Sequence, residues 1–285
     1  MNYPKGTLII IGGSVYLPTE SYNEKIEEND ASPECSEILH RITEHLRGDT
    51  NRIEIIPVAS DIPQKTGNEY IEAFRKIGYE NVKILNIRKR ADAGKVEYLE
   101  RIKQAEGVLF TGGNQLKLTS ILGGTRFLDI LFDRYRFEPI VISGTSAGAM
   151  AMSDTMIYGG ASHDALLKGE VRFSPGFGLL NGVIIDTHFV KRGRIGRLFQ
   201  AVASNPASLG IGLSENTGLL IKDGDIKESI GSGLVIIVDG HSIRYSNFAH
   251  INQGDPISIE NLCVHVMGPG DKFILSERKF MRKED

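Results

Sequence analysis

The chain has 285 residues, with 33 Lys+Arg against 36 Asp+Glu, a net charge of −3, and 41% hydrophobic and 24% charged residues. That length can enclose a sizeable core and that composition belongs to a folded chain, while the slightly negative balance gives no electrostatic case for nucleic acid as a partner and two cysteines, Cys35 and Cys263, cannot build a disulfide framework. Glycine is the outlier: the 32 glycines are roughly 11% of the chain, against about 7% on average.

The N-terminal residues Met1 to Gly6 lack the apolar region and cleavage site of a signal peptide, and no apolar run approaches the ~20 residues of a membrane span. A cytoplasmic protein without membrane attachment is expected. Thr7 to Ile11 reads as a buried strand ending at Gly12-Gly13, and the acidic stretch 19–33 reads as a mobile loop. Glu34 to Leu46 has helical spacing, with Ile38, Leu39, Ile42 and Leu46 on one face. Arg52 to Val58 is the next strand, Asn68 to Ile77 a helix stopped by Gly78, Asn81 to Leu85 a strand and Lys95 to Gln104 a helix. Gly107 to Phe110 is a strand ending at Thr111-Gly112-Gly113, Gln115 to Ile121 and Thr125 to Phe137 are helical, and Pro139 to Ser143 is a strand running into Gly144-Thr145-Ser146-Ala147-Gly148. Pro175 to Leu180 is a turn before the strand Val183 to Asp186. The tail is β-rich, with two hairpins expected at Asp223-Gly224 and Asp239-Gly240.

This alternation gives an α/β fold: a mostly parallel, doubly wound sheet with flanking helices and β-rich C-terminal hairpins, read as a single domain over 1–285. Such sheets bind ligands at the carboxyl ends of their strands. Three strands end in glycine-containing loops, at Gly12-Gly13, Gly112-Gly113 and Gly144, so much of the glycine excess points to one edge of one sheet.

Gly144-Thr145-Ser146-Ala147-Gly148 matches the Gly-x-Ser-x-Gly nucleophile elbow, with a strand before it and a small-residue helical start after it. A nucleophile in a tight strand-to-helix turn needs neighbours with little side chain. The Ala147 N–H then points where an oxyanion would form, and the helix start favours negative charge. A buried glycine turn with an incidental serine is the bland alternative, which the strand-helix context disfavours.

Serine needs a base. Of seven histidines, His188 follows the apolar strand ending Asp186-Thr187, at the sheet edge expected to carry Ser146, and is taken as general base. His163 is a rival, in a loop after Gly159-Gly160; His40 and His45 belong to a helix, and His241, His250 and His265 to the tail. The acid that would orient the imidazole is left open by the residues alone. Asp164 gives the order Ser, Asp, His of α/β-hydrolases, and Glu215 gives Ser, His, Glu.

The ordered blocks Phe110-Thr111-Gly112-Gly113-Asn114-Gln115, Gly144 to Ala149, and Asp186-Thr187-His188-Phe189 followed by Arg192, Arg194 and Arg197 resemble the cyanophycinases. These belong to the peptidase E-like serine peptidases, on a fold similar to the class I glutamine amidotransferases. The resemblance runs from Gly12-Gly13 to Leu213-Ser214-Glu215-Asn216-Thr217. It implies a Ser146, His188, Glu215 triad, with Gly113 joining Ala147 in the oxyanion hole and no metal or cofactor. It further implies hydrolysis of cyanophycin, a polyaspartate whose side-chain carboxyls carry arginine, to β-Asp-Arg dipeptides, and it carries the expectation of a homodimer. Residue 187 departs from the family pattern, Thr where glutamine is common.

Substrate contacts are expected from Gln115, Asp186, Thr187, Arg192, Arg194 and Arg197. Arginine pairs bidentately with the free carboxylates of the substrate's arginine units. The substrate guanidinium would need an acid or amide, for which Asp186, Gln115 and Asp164 are available. A solvated basic helix face is the alternative for the arginines. Rival functions are an aspartyl or β-aspartyl dipeptidase of the same clan, an α/β-hydrolase esterase, and a nucleotide-binding module built on Ile11-Gly12-Gly13-Ser14, which lacks a Gly-x-Gly-x-x-Gly or Gly-Lys-Ser/Thr sequence.

Overall fold

A computed structural model of the chain describes residues 3–13, 34–48 and 50–284. The acidic stretch 19–33 lies outside the described residues.

The elements run β1 (Thr7–Ile11), α1 (Glu34–Glu44), β2 (Ile53–Ile56), α2 (Pro63–Lys76), β3 (Val82–Ile84), α3 (Val96–Gln104), β4 (Gly107–Phe110), α4 (Gln115–Leu122), α5 (Arg126–Phe137), β5 (Val141–Thr145) and α6 (Ala147–Met150). There follow β6 (Ser153–Gly159), β7 (Arg172–Pro175), β8 (Leu180–Thr187), α7 (Ile195–Ser204), β9 (Leu209–Leu213), β10 (Thr217–Lys222), β11 (Asp225–Gly231) and β12 (Val235–Asp239). The tail adds β13 (Tyr245–Ser246), β14 (Ile259–Glu260), β15 (Cys263–Met267), β16 (Lys272–Ile274) and β17 (Lys279–Met281).

The strands form two main sheets. The nine-stranded sheet has the order β17-β16-β11-β10-β1-β5-β4-β2-β3, and its half from β1 to β3 is parallel. The six-stranded sheet has the order β15-β12-β9-β8-β6-β7, with β6, β8 and β9 parallel. Strands covered on both faces read as unbroken apolar runs, which is why β1 is Thr-Leu-Ile-Ile-Ile with every residue buried. Alternate residues serve different cores. Ile9 and Ile11 pack with Ile38 and Ile42 of α1 and Phe74 of α2. Leu8 and Ile10 face a larger core that takes in Leu118, Phe127 and Leu131 and continues into the second sheet through Ile184, Ile211 and Ile237. Among the described residues no helix is long and apolar enough to cross a membrane.

Two expectations change. α2 begins at Pro63, five residues before Asn68, because proline is pre-organised for the first helical position while the polar first turns show no apolar period. Asp239-Gly240 is not a hairpin: β12 pairs with β9 and β15 instead. The Asp239 carboxylate accepts from the His241 N–H and pairs with Arg278, so a residue that looked like turn chemistry is an anchor for a distant segment. The other pair does turn β10 into β11, with Asp223 at φ 55° and Gly224 at φ 78°, as a two-residue hairpin of that hand requires.

Candidate active site

Ser146 sits between β5 and α6 at φ 51° and ψ −111°, a conformation unusual for a residue with a side chain. Its N–H is bonded to Ile11 O at 3.0 Å, which locks the turn onto the end of β1. The flanking glycines are steric necessities: a Cβ at Gly144 would lie 2.7 Å from the Gly148 backbone, and one at Gly148 would overlap Phe110 O.

His188 lies at the end of β8, hence in the second sheet and not on the sheet edge that carries Ser146. The expectation of a single edge is therefore corrected: the site straddles the ends of two sheets. Gly12 is the join. Its carbonyl accepts from His188 N at 3.1 Å and its N–H donates to Thr217 O at 2.9 Å. With φ at 54°, the His188 side chain turns back toward the elbow. Ser146 Oγ is 2.9 Å from His188 Nε2, and His188 Nδ1 is 2.8 Å from Glu215 Oε1. In the tautomer this network calls for, Nδ1–H donates to the carboxylate and Nε2 accepts from the serine hydroxyl. Glu215 lies in the short loop between β9 and β10, its Oε2 buried against Gly13, where a Cβ would overlap it. Asp164 is elsewhere, 3.0 Å from His163, and both are well exposed.

Gly113, at φ 139°, faces Ala59, whose carbonyl a Cβ would overlap. The next residue, Asn114, donates its N–H to that carbonyl and caps α4 by accepting from Leu116 N and Lys117 N. A Cβ at neighbouring Gly112 would stand 3.4 Å from Ser146 Cβ, so this loop passes beside the nucleophile. Ala147 opens α6, and the first N–H groups of a helix have no acceptor within it.

A pocket of about 220 Å³ opens over Ser146 and His188, lined by Gly113, Gln115, Thr187, Arg192, Arg194 and Arg197. Met150 and Tyr158 also line it; sequence reasoning missed both, although Tyr158 stands just before Gly159-Gly160 at the end of a strand. Asp186 is in the wall and not in the lumen: it is fully buried, with Oδ1 3.1 Å from Arg194 Nη1 and Oδ2 3.0 Å from Arg197 Nε, and it accepts from Thr187 N. Expected to meet substrate, it instead neutralises two arginines. Burial pushes its carboxyl above the ordinary value, opposed first by Arg197 and then by Arg194. Burial likewise pulls Arg197 down, opposed by Asp186. Arg194 is the cap residue of α7 and Arg197 lies in its first turn, while Arg192 precedes the helix and is exposed. Gln115 donates Nε2 to Ile157 O at 3.0 Å, and the Thr187 hydroxyl points to Met150 Sδ at 3.4 Å.

The arrangement fits acyl transfer: a serine hydroxyl, an imidazole and a carboxylate in hydrogen-bonded sequence, a helix start beside the serine and a cationic pocket. The sequence model of peptidase family S51 matches residues 27–229. A cyanophycinase of Geminocystis herdmanii is 33% identical over 272 residues, spanning 95% of this chain and 94% of its own. A cyanophycinase of Trichormus variabilis is 38% identical over 226 residues, 79% of this chain and 76% of its own. The fold is shared with a solved peptidase from an acI-B1 actinobacterium, with a TM-score of 0.66 at 20% identity over 96% of this chain and 98% of that one. A putative peptidase E protein of Listeria monocytogenes gives a TM-score of 0.50 at 16% identity over 79% of this chain and 96% of that one.

Proposed function

The chain belongs to peptidase family S51 and is a serine peptidase, and we propose that it is an exopeptidase that hydrolyses the polyaspartate backbone of cyanophycin to β-Asp-Arg dipeptides. The observation that carries this reading is the relay of 2.9 Å and 2.8 Å from Ser146 through His188 to Glu215, at the floor of a pocket lined by three arginines. Ser146 attacks the backbone carbonyl as His188 takes its proton, and Glu215 orients the imidazole and stabilises its charged form. The N–H groups of Ala147 and Gly113 hold the oxyanion, each worth about 3 kcal/mol. His188 then protonates the leaving amine, and water releases the acyl group by the same route.

Arg192 and the Arg194–Arg197 pair supply positive charge for the carboxylates of the substrate's arginine units. In the same proposal the enzyme works in the cytoplasm, and the homodimer follows from the family resemblance. Mass spectrometry of a cyanophycin digest tests the reading. β-Asp-Arg as the sole major product is expected; no release from cyanophycin, with turnover of soluble Asp-X dipeptides, would make it an aspartyl dipeptidase instead.

A further inference from the structure

Tyr158 stands where the pairing of β6 with β7 breaks step. Ile157 is opposite Phe173 and Gly159 is opposite Arg172, so Tyr158 is the extra residue of a bulge. Bulges beside functional sites bend a strand and re-aim one side chain. This one is fastened on both sides by pocket residues: Gln115 Nε2 donates to Ile157 O at 3.0 Å, and Arg197 Nη1 donates to Gly160 O at 3.3 Å. The ring lines the pocket and is 37% exposed, so no packing requirement of the core explains a tyrosine here.

The charge of the pocket says what the ring meets. Among the described residues, the lining groups carry three guanidiniums and no carboxylate, since Asp186 is turned into the wall. A cationic substrate side chain therefore finds no acid there and is repelled by the arginines. Gln115, held through its amide nitrogen by Ile157 O, offers a neutral amide oxygen and no charge. The phenol face of Tyr158 offers the broad attractive surface, because the ring quadrupole draws a cation onto it. Resting on the cyanophycin reading above, we propose that Tyr158 is a substrate-binding residue that takes the guanidinium end of the substrate's arginine against its ring, and so sets the preference for a cationic side chain.

The test uses the full chain and two synthetic substrates, a trimer of the β-Asp-Arg unit and the same trimer with neutral citrulline in place of arginine. Tyr158→Leu should raise KM for the arginine trimer roughly tenfold, with kcat within about twofold, and bring the arginine-over-citrulline preference close to one. Tyr158→Phe should keep the preference, because the ring remains. An unchanged KM in Tyr158→Leu, or loss of the preference in Tyr158→Phe as well, overturns the proposal. If the wild-type enzyme cleaves the arginine trimer, either failure belongs to Tyr158 alone. If it does not cleave that trimer, while Ser146 still reacts with a fluorophosphonate, the cyanophycin reading falls and takes this assignment with it.

Discussion

Gly13 and Glu215 occupy each other's space: a Cβ at position 13 would overlap Glu215 Oε2 and lie 2.8 Å from His188 Nδ1. The absence of a side chain at the end of β1 is thus a condition for the contact between the acid and the imidazole.

Gly13→Ala should therefore act through Glu215. The methyl group displaces the carboxylate, and kcat should fall by about 10²-fold or more, toward the ~10⁴-fold loss expected of Glu215→Gln. The melting temperature should move little in either variant. Asp164→Ala, an exposed residue paired with His163, should keep wild-type turnover. Steady-state kinetics on a soluble trimer of the β-Asp-Arg unit checks all three; wild-type kcat in Gly13→Ala would show that the acid is not needed in that place.

Ser146→Ala should lower kcat by about 10⁶-fold while leaving substrate binding nearly intact, since the pocket arginines are untouched. Single-turnover kinetics alongside calorimetric binding separates these effects. Measurable acyl-enzyme in the variant would place the nucleophile elsewhere.

The three pocket arginines should part company. Arg192 is exposed, so Arg192→Ala should raise KM about tenfold, the worth of one charge-assisted hydrogen bond, at unchanged stability. Arg197 is 4% exposed and shares the buried Asp186 carboxylate with Arg194. Arg197→Ala strands part of that charge and should cost about 3–5 kcal/mol of stability. Urea denaturation and KM, measured on both variants, make the comparison; equal effects on stability would contradict the buried cluster.

Asp92 offers a pH signature away from the site. Its hydrogen bond from Lys95, followed by that from the Arg88 N–H, holds its carboxyl down at about 2. A carboxyl with a lowered folded-state pKa adds stability above its unfolded value of about 3.9, and that stability disappears as pH falls through the folded value. Lys95 is half exposed, so solvent screening keeps the effect small. Melting curves of the wild type and Asp92→Asn should separate above pH 4 and merge near pH 2; a gap that persists at pH 2 would mean that the carboxylate charge is not its source.

Local chemistry was legible in the sequence, and long-range pairing was not. The elbow at Ser146, the strand before His188 and the turn at Asp223-Gly224 are contiguous patterns whose geometry follows from neighbouring residues. The split into two sheets depends on which strand ends meet, and the apolar runs of β5 and β8 look alike. Asp164 and Glu215 were both loop acids by their residues alone; the family resemblance favoured Glu215, and the fold brings it to His188. Asp239-Gly240 misled because the partner that fixes Asp239, Arg278, is 39 residues away. The bulge at Tyr158 comes from mismatched pairing with β7, which no window around residue 158 contains.

Gly12 ties the end of β1 to the end of β8 through one backbone hydrogen bond to His188, while its own N–H stays in its sheet by bonding Thr217 of β10. The enzyme's chemistry is in this sense a vernier, reading the offset between the ends of two sheets. A slip of one ångström along the seam would leave each sheet's secondary structure whole and its circular dichroism unaltered, yet separate serine from imidazole. On heating, turnover should vanish before ellipticity does, and the interval between the two temperatures measures how firmly the two halves are seated.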